Sequence, residues 1–203
     1  MKEATTANIL ILGFGAQAKA WAMNLKDSGW PVTIALRQNS SSRPLVQELG
    51  FKLIDLEEKK FLPYNWILNL TPDDAHKEIL ELYASHFSPQ SKIVYAHGFS
   101  LVKHELAEKY PHLIHLLLAP KAIASELRFK YQTKGALAAA ISIEKVCLHE
   151  ARAKEIKAEL LELARLIGIT KIVECKISEE TYADLFSEQS LLCSLIPYSA
   201  LYS

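Results

Sequence analysis

The sequence predicts an α/β protein with a doubly wound, mostly parallel sheet, followed by a C-terminal helix. Three observations carry that expectation. Runs of large aliphatic residues recur, beginning with Ile9-Leu10-Ile11-Leu12, and read as strands buried on both faces of a parallel sheet. Helix-forming stretches alternate with these runs along the chain. The first run leads at once into Gly13-Phe14-Gly15-Ala16-Gln17-Ala18, a G-x-G-x-x-A turn opening a helix. Strand, glycine turn and helix in that order make a Rossmann-like, dinucleotide-binding corner.

Each residue of this corner has a physical part in that reading. Gly13 permits the tight turn, and Gly15 lets a pyrophosphate approach the backbone N–H groups at the helix start. Ala18 is small enough for close packing of helix on strand. Phe14, Ala16 and Gln17 complete the candidate cofactor contact. A lone glycine triplet is weak evidence and is also found in purely structural turns, but this one has the required strand before it and helix after it.

The composition narrows the function classes. The 203 residues carry 23 Lys plus Arg and 23 Asp plus Glu, so net charge favours neither nucleic acid nor a membrane surface. Aromatic and basic residues are not interleaved as in a nucleic-acid groove. Cys147, Cys175 and Cys193 are odd in number and widely spaced, which predicts a reduced protein with neither disulfide frame nor zinc site. The N-terminus has no apolar signal core and no run reaches the roughly 18 residues of a spanning helix, so a cytoplasmic location is expected.

The first helix runs through Trp21 to Ser28 and stops at Gly29. Pro31 to Leu36 is the second strand. An NAD-binding fold carries an acid at the end of this strand, to hold the ribose hydroxyls. Here the strand ends in Leu36-Arg37-Gln38-Asn39-Ser40-Ser41-Ser42-Arg43. A guanidinium and hydroxyls suit a 2′-phosphate, which favours NADP over NAD; the plain alternative is a solvated serine-rich loop.

Pro44 to Leu49 is the second helix, Phe51 to Asp55 a short strand, and Tyr64 to Leu70 a buried one. Thr71-Pro72-Asp73-Asp74 then gives a turn with Thr71 as helix cap and Pro72 at the first helical position. In a doubly wound sheet this corner lies over the cofactor, which makes Leu70, Pro72 and Asp73 candidate contacts. The helix extends from about Asp73 to Ser85, with Ile79, Leu82 and Tyr83 on its apolar face. Lys92 to Ala96 is a strand ending at His97, on the ligand side of the sheet. The other histidines read as surface or packing residues. Leu113 to Leu118 is a strongly apolar strand followed by Ala119-Pro120-Lys121, where the ammonium is placed either to meet a substrate oxygen or to snorkel at the surface. Ser125 to Tyr131 reads as a short helix or loop, Gly135 to Ile143 as a strand of small residues, Leu148 to Ile167 as an amphipathic helix, and Ile169 to Glu174 as the last strand.

A final helix opens at Ser178-Glu179-Glu180-Thr181, with Ser178 as cap and acids in the first turn. Asp184 and Glu188 are four apart and share one face, with Glu180 one turn earlier. Such carboxylates repel unless a cation sits between them, and two oxygen ligands on one helix suit Mg²⁺. A solvated acidic face is the plainer reading. Tyr182, Leu185, Phe186, Leu192 and Ile196 form an apolar stripe that predicts dimerisation.

Taken together, GFGAQAKAWAMNLKDSG, LRQNSSS, LTPDD, YAHGF, LLLAPK and EETYADLFSEQSLLC resemble ketol-acid reductoisomerase (acetohydroxy acid isomeroreductase) from Ile9 to Cys193, in the family's order. The resemblance implies that Arg37, Ser40 and Ser42 hold the NADPH 2′-phosphate, that His97 and Lys121 line the site, and that Asp184 and Glu188 bind Mg²⁺. It implies Mg²⁺-dependent alkyl migration in a 2-acetohydroxy acid, then reduction by NADPH, in branched-chain amino acid synthesis. There are departures. The family's Gly-Pro-Gly-His turn after the lysine is Ala122-Ile123-Ala124-Ser125 here, and the family completes its metal site from an all-helical, knotted domain beyond the DLFSEQ helix. The expected organisation is therefore an NADP-binding domain over 1–175 and the truncated start of the helical domain over 176–203. Two readings follow: a reductoisomerase completed by a second copy or by a missing C-terminal domain, and a catalytically silent NADP(H)-binding or regulatory module.

Overall fold

A computed structural model describes residues 8–144, 149–187, 190 and 195–201. Eight strands form one sheet in the order β3-β2-β1-β4-β5-β6-β7-β8. They are β1 (Ile9–Leu12), β2 (Val32–Leu36), β3 (Lys52–Asp55), β4 (Trp66–Asn69), β5 (Lys92–Tyr95), β6 (Ile114–Pro120), β7 (Ala138–Ile143) and β8 (Lys171–Glu174). The first six run parallel; β7 turns antiparallel to β6, and β8 runs parallel to β7. This is the doubly wound topology that the alternating pattern predicts, and it reverses direction between β1 and β4, where such folds bind ligands.

The runs of aliphatic residues have their physical explanation in two cores. Ile9 and Ile11 point into one, with Trp21, Leu25, Val46, Leu160 and Leu163. Leu10 and Leu12 point into the other, with Ile79, Leu80, Tyr83 and Leu101. Alternate residues of one strand thus serve opposite faces, and each fully buried aliphatic side chain contributes about 1.5–3 kcal/mol. The first face is covered by α1 (Ala16–Asp27), α2 (Arg43–Glu48), α6 (Ala124–Thr133) and α7 (Glu150–Leu166). The second is covered by α3 (His76–Tyr83), α4 (Phe99–His104), α5 (Leu106–Lys109) and the first turn of α8 (Ile177–Leu185), through Ile177. A last helix, α9, spans Ile196–Leu201. Among the described residues, no helix is long and apolar enough to cross a membrane.

Several expectations shift in detail. The stretch after Pro72 begins as a 3₁₀ turn over Asp73–Ala75 before α3 starts at His76. Thr71 does not cap it; its hydroxyl donates to Asn69 Oδ1 at 2.8 Å. Leu82 is exposed, and Leu80 takes the buried place beside Ile79 and Tyr83. The stretch left open as helix or loop is the ten-residue α6. The capping of α8 also differs: the helix starts at Ile177, and the Glu179 carboxylate accepts from the Lys176 backbone N–H at 3.0 Å, so an acid rather than Ser178 closes the helix start. On α8 and beyond, Tyr182, Phe186 and Ile196 are exposed. Leu192 lies outside the described residues.

Candidate functional site

The glycine corner is formed as its residue types dictate. Gly13 has a φ of +87°, a conformation that L side chains resist, and a Cβ there would meet Thr71 Cγ2 at 2.9 Å. Gly15 is different: a Cβ on it would meet open space. It stands exposed at the start of α1, where no side chain caps the helix, so the first-turn N–H groups face outward and suit an anion. Ala18 is fully buried against the sheet. Phe14 is buried edge-on to Phe51, with ring centroids 5.9 Å apart, and Ala16 is exposed beside Gly15. Gln17 donates through Nε2 to Ala122 O at 3.2 Å, tying α1 to the segment after β6.

At the end of β2 the chain folds into a turn, with Ser40 N donating to Arg37 O at 3.1 Å. Arg37 is exposed and lies 3.9 Å from Glu78. Ser40 Oγ accepts from Ser42 N at 3.3 Å. Arg43 braces the turn by donating to Asp55 Oδ1 at 2.5 Å and to Arg37 O at 3.4 Å. Arg37, Ser40 and Ser42 therefore share one turn at the end of β2.

The opposite wall is charged. The carboxyl ends of β4, β5 and β6 bring Asp73, His97 and Lys121 toward α8. His97 Nδ1 lies 3.2 Å from Asp73 Oδ2, and its Nε2 lies 3.3 Å from Asp184 Oδ2. The hydrogen bond to Asp73 raises the His97 pKa; burial opposes this, and the Asp73, Glu180 and Asp184 charges add to it. Lys121 Nζ donates to Glu180 Oε1 at 2.5 Å and to Asp184 Oδ1 at 2.8 Å. Burial pulls its pKa down, but the hydrogen bonds to Asp184 and Glu180 outweigh burial and the net shift is upward. A cavity of about 970 Å³ is lined by Gln17, Asp73, His97, Lys121, Glu180 and Asp184 among others, so Gln17 of the corner borders the same space as the cluster.

The structure thus brings together Gln17, Asp73, His97, Lys121 and Asp184 around one cavity, and places Arg37, Ser40 and Ser42 in the turn that follows β2. Leu70 is buried below the corner, and Pro72 leads into the turn that carries Asp73. Glu188 lies outside the described residues. Two residues were not singled out as site residues. Glu180 was noticed only as part of an acidic face, yet its side chain is 1% exposed and paired with Lys121. His76, read as surface or packing, is buried beside Asp73. The signal for Glu180 was its i,i+4 spacing from Asp184, which puts both on one helix face.

Three comparisons bear on this arrangement. The family model for the NADPH-binding domain of acetohydroxy acid isomeroreductase matches residues 4–172. The ketol-acid reductoisomerase (NADP(+)) of Helicobacter pylori (strain Shi470) is 36% identical over 187 residues, and that of Helicobacter acinonychis (strain Sheeba) is 35% identical over 186 residues. Each alignment covers 90% of this chain and 54% of the relative, so the chain spans about half the length of these curated relatives. Among solved structures, an NADH-preferring ketol-acid reductoisomerase from an uncultured archaean superposes with a TM-score of 0.77 at 26% identity, covering 92% of this chain and 57% of that one. A semialdehyde dehydrogenase NAD-binding protein from Cupriavidus necator reaches a TM-score of 0.76 at 15% identity, covering 97% of this chain and 72% of that one, which shows shared fold alone. The chain belongs to the acetohydroxy acid isomeroreductase (ketol-acid reductoisomerase) family, through its NADPH-binding domain.

Proposed function

We propose that this chain is the NADP(H)-binding part of a cytoplasmic ketol-acid reductoisomerase-type oxidoreductase that acts on a 2-acetohydroxy acid with Mg²⁺. The observation that carries the reading is the cavity that Gln17, in the first turn of α1, shares with Asp73, His97, Lys121, Glu180 and Asp184.

The corner fits a dinucleotide. Gly15 leaves space where a Cβ would stand, and Arg37 with Ser40 and Ser42 presents a guanidinium and hydroxyls where a 2′-phosphate would lie. Asp73 borders the cavity, and Leu70 and Pro72 lie just before it, after β4. Bound there, NADPH supplies a hydride.

The charged wall fits a divalent cation. Glu180 Oε2 is buried without a hydrogen-bond partner, and ligand atoms of His97, Glu180 and Asp184 lie within 4.8 Å of one another. Mg²⁺ prefers oxygen, so Glu180 and Asp184, with Glu188 four residues further along the sequence, are the better ligands. A divalent cation held by these carboxylates would supply Lewis-acid polarisation of a substrate oxygen. The protein's own groups then have distinct parts. Asp73 takes the Nδ1 proton of His97 in a hydrogen bond, leaving Nε2 to face the cavity, and the Lys121 ammonium can turn from its carboxylates toward a substrate oxygen. We place 1–175 as the nucleotide domain and 176–203 as the start of a helical part, whose completion by further chain or a second copy supplies the remaining metal ligands.

A specific contact favours a second reading, a silent NADP(H)-binding or regulatory module: the Lys121 ammonium occupies the space between the two carboxylates. Fluorescence titration separates binding from chemistry. The first reading expects NADPH to bind more tightly than NADH, and Mg²⁺ with 2-acetolactate to oxidise NADPH in a manner lost in Asp184→Asn. Tight NADPH binding without oxidation, with the chain alone and in its full assembly, leaves the second.

A further inference from the structure

Beneath the Asp73–His97 pair lies a buried imidazole that the proposed chemistry does not use. His76 is 2% exposed and begins α3, three residues after Asp73. Its Nε2 lies 2.9 Å from Thr71 O and its Nδ1 lies 2.6 Å from Ser100 Oγ. A carbonyl only accepts, so Nε2 carries the proton, and Nδ1 then accepts from the Ser100 hydroxyl. Burial lowers the His76 pKa and keeps this neutral tautomer. Both hydrogen-bonding positions of the ring are thereby satisfied by neutral partners.

The geometry forms a pair of parallel braces. Asp73 and His76 stand three apart on the segment following β4, and His97 and Ser100 stand three apart on the segment following β5. The outer brace joins Asp73 to His97 at 3.2 Å, and the inner one joins His76 to Ser100 at 2.6 Å. Since Nδ1 of His76 is already accepting, its 3.6 Å approach to Asp73 Oδ1 is not a hydrogen bond. Asp73 is therefore left free to accept from His97. Tyr95 walls the inner brace, packing edge-on to His76 with centroids 5.3 Å apart. The donor to Thr71 O also fixes the residue whose methyl group crowds Gly13, so the same imidazole connects the charged wall to the glycine turn.

We infer that His76 is a positioning residue: with Ser100 it locks the post-β4 and post-β5 segments together, so that Asp73 meets His97 and His97 presents Nε2 to the cavity. This rests on the functional reading above only for the use of His97; the brace itself is independent of any cofactor. Without the inner brace the partly exposed Asp73–His97 bond is the side-chain hydrogen bond left between the two segments, and the His97 ring is held less firmly, by that bond, its Asp184 contact and its stacking on Phe99.

The test reads the His97 ring directly, by long-range ¹H–¹⁵N correlation on ¹⁵N-histidine-labelled protein without nucleotide or metal. In the wild-type chain the His97 Nδ1–H is expected as a hydrogen-bonded signal, and that of His76 at Nε2. The His97 signal should disappear through exchange in His76→Phe and in Ser100→Ala. It should remain in Leu163→Ala, which removes core volume on the opposite face of the sheet and controls for lost stability. Ser100→Ala deletes one hydroxyl and keeps the experiment decisive where His76→Phe does not fold. An unchanged His97 signal in a folded brace variant, or an equal loss in Leu163→Ala, overturns the inference. Because no NADPH or substrate is present, either result stands apart from failure of the proposed activity.

Discussion

Between Gly13 and Gln17 the glycine corner is made from backbone by residues that are neighbours in sequence. The charged cluster is made from side chains far apart in the chain: Asp73 and His97 are separated by 24 residues, Lys121 and Asp184 by 63. The first depends on what is missing, a Cβ at Gly13 and another at Gly15. The second depends on what is added, charges that need one another. A local backbone device is specified by a short motif and tolerates little change in it. A side-chain cluster is assembled by sheet order, and its members can be exchanged in compensating pairs.

The largest expected effect separates the two glycines. Gly13→Val places a β-branched side chain at a φ of +87° and against Thr71 and the Leu70 carbonyl. Left-handed backbone and overpacking together should lower the unfolding free energy by about 3–4 kcal/mol, read by urea denaturation, with NADPH binding lost as well. Gly15→Ala adds its methyl to open space at a φ of −71°, so stability should change by about 0.5 kcal/mol or less. NADPH affinity should nevertheless fall, because the methyl stands where the pyrophosphate approaches. Equal stability losses in both variants would break the distinction between a folding glycine and a binding glycine.

Acid should act on the charged half and spare the corner. His115 lies in the same core as the Asp73–His97 side of the sheet, where its Nδ1 accepts from Tyr95 OH and its Nε2 donates to Tyr110 O. Burial lowers its pKa from 6.5 to about 4. Between those values the unfolded chain takes up a proton that the native one refuses, so stability falls as pH drops, by about 3 kcal/mol in full. The lowered pKa of His76 acts in the same direction. His97 acts oppositely: its raised pKa gives stability that is complete below 6.5 and lost as pH rises through the folded value. Urea titrations at pH 7 and about pH 4 measure the sum, and His115→Asn should flatten it. A slope unaltered by that substitution would place the acid sensitivity elsewhere.

The difference between corner and cluster also explains what was legible in the sequence. The glycine corner, the first six strands and the turn at Arg37 rest on contiguous patterns, and they appear in the structure close to where the patterns put them. Glu180 was harder to see because its importance comes from Lys121, 59 residues away, and no local pattern encodes that pairing. His76 was hidden for a related reason: its partner Ser100 comes within reach only when β4 and β5 pair. The antiparallel turn of β7 left no sign in its small-residue run, since burial on a sheet does not record direction.

In the cluster itself, Lys121→Met should cost less than the glycine change. Breaking a buried ion pair by removing one partner costs about 3–5 kcal/mol, and the 40% exposure of the Lys121 side chain reduces this to about 2 kcal/mol. The loss arises from Glu180, whose buried carboxylate loses its ammonium partner. Lys121→Met combined with Glu180→Gln should therefore recover most of it, which a double-mutant cycle measures. Additive losses would show that the pair does not couple. Mn²⁺ should stabilise the single variant more than the double, since only the former keeps both carboxylates.

The smallest effect lies at the far end of the corner, where a charge from one element attenuates a charge on another. The Arg37 guanidinium stands 3.9 Å from Glu78, with both side chains more than half exposed. Such a pair is worth about 0–1 kcal/mol, so Glu78 holds Arg37 only weakly. A 2′-phosphate would have to share the guanidinium with this carboxylate and would be repelled by it across the solvent. Glu78→Gln removes both effects and should tighten NADPH binding by up to about fivefold, while leaving NADH binding unchanged. The gain should shrink as salt rises, because exposed charges are screened over about 10 Å at 0.1 M ionic strength. Arg37→Ala gives the reference, since loss of a charge-assisted contact should weaken NADPH by about ten- to a hundredfold. In the Arg37→Ala background the Glu78→Gln gain should be smaller, because only direct repulsion of the phosphate remains. A gain for NADPH and NADH alike would show that Glu78 acts on the nucleotide in general, and Arg37 would lose its assignment to the 2′-phosphate.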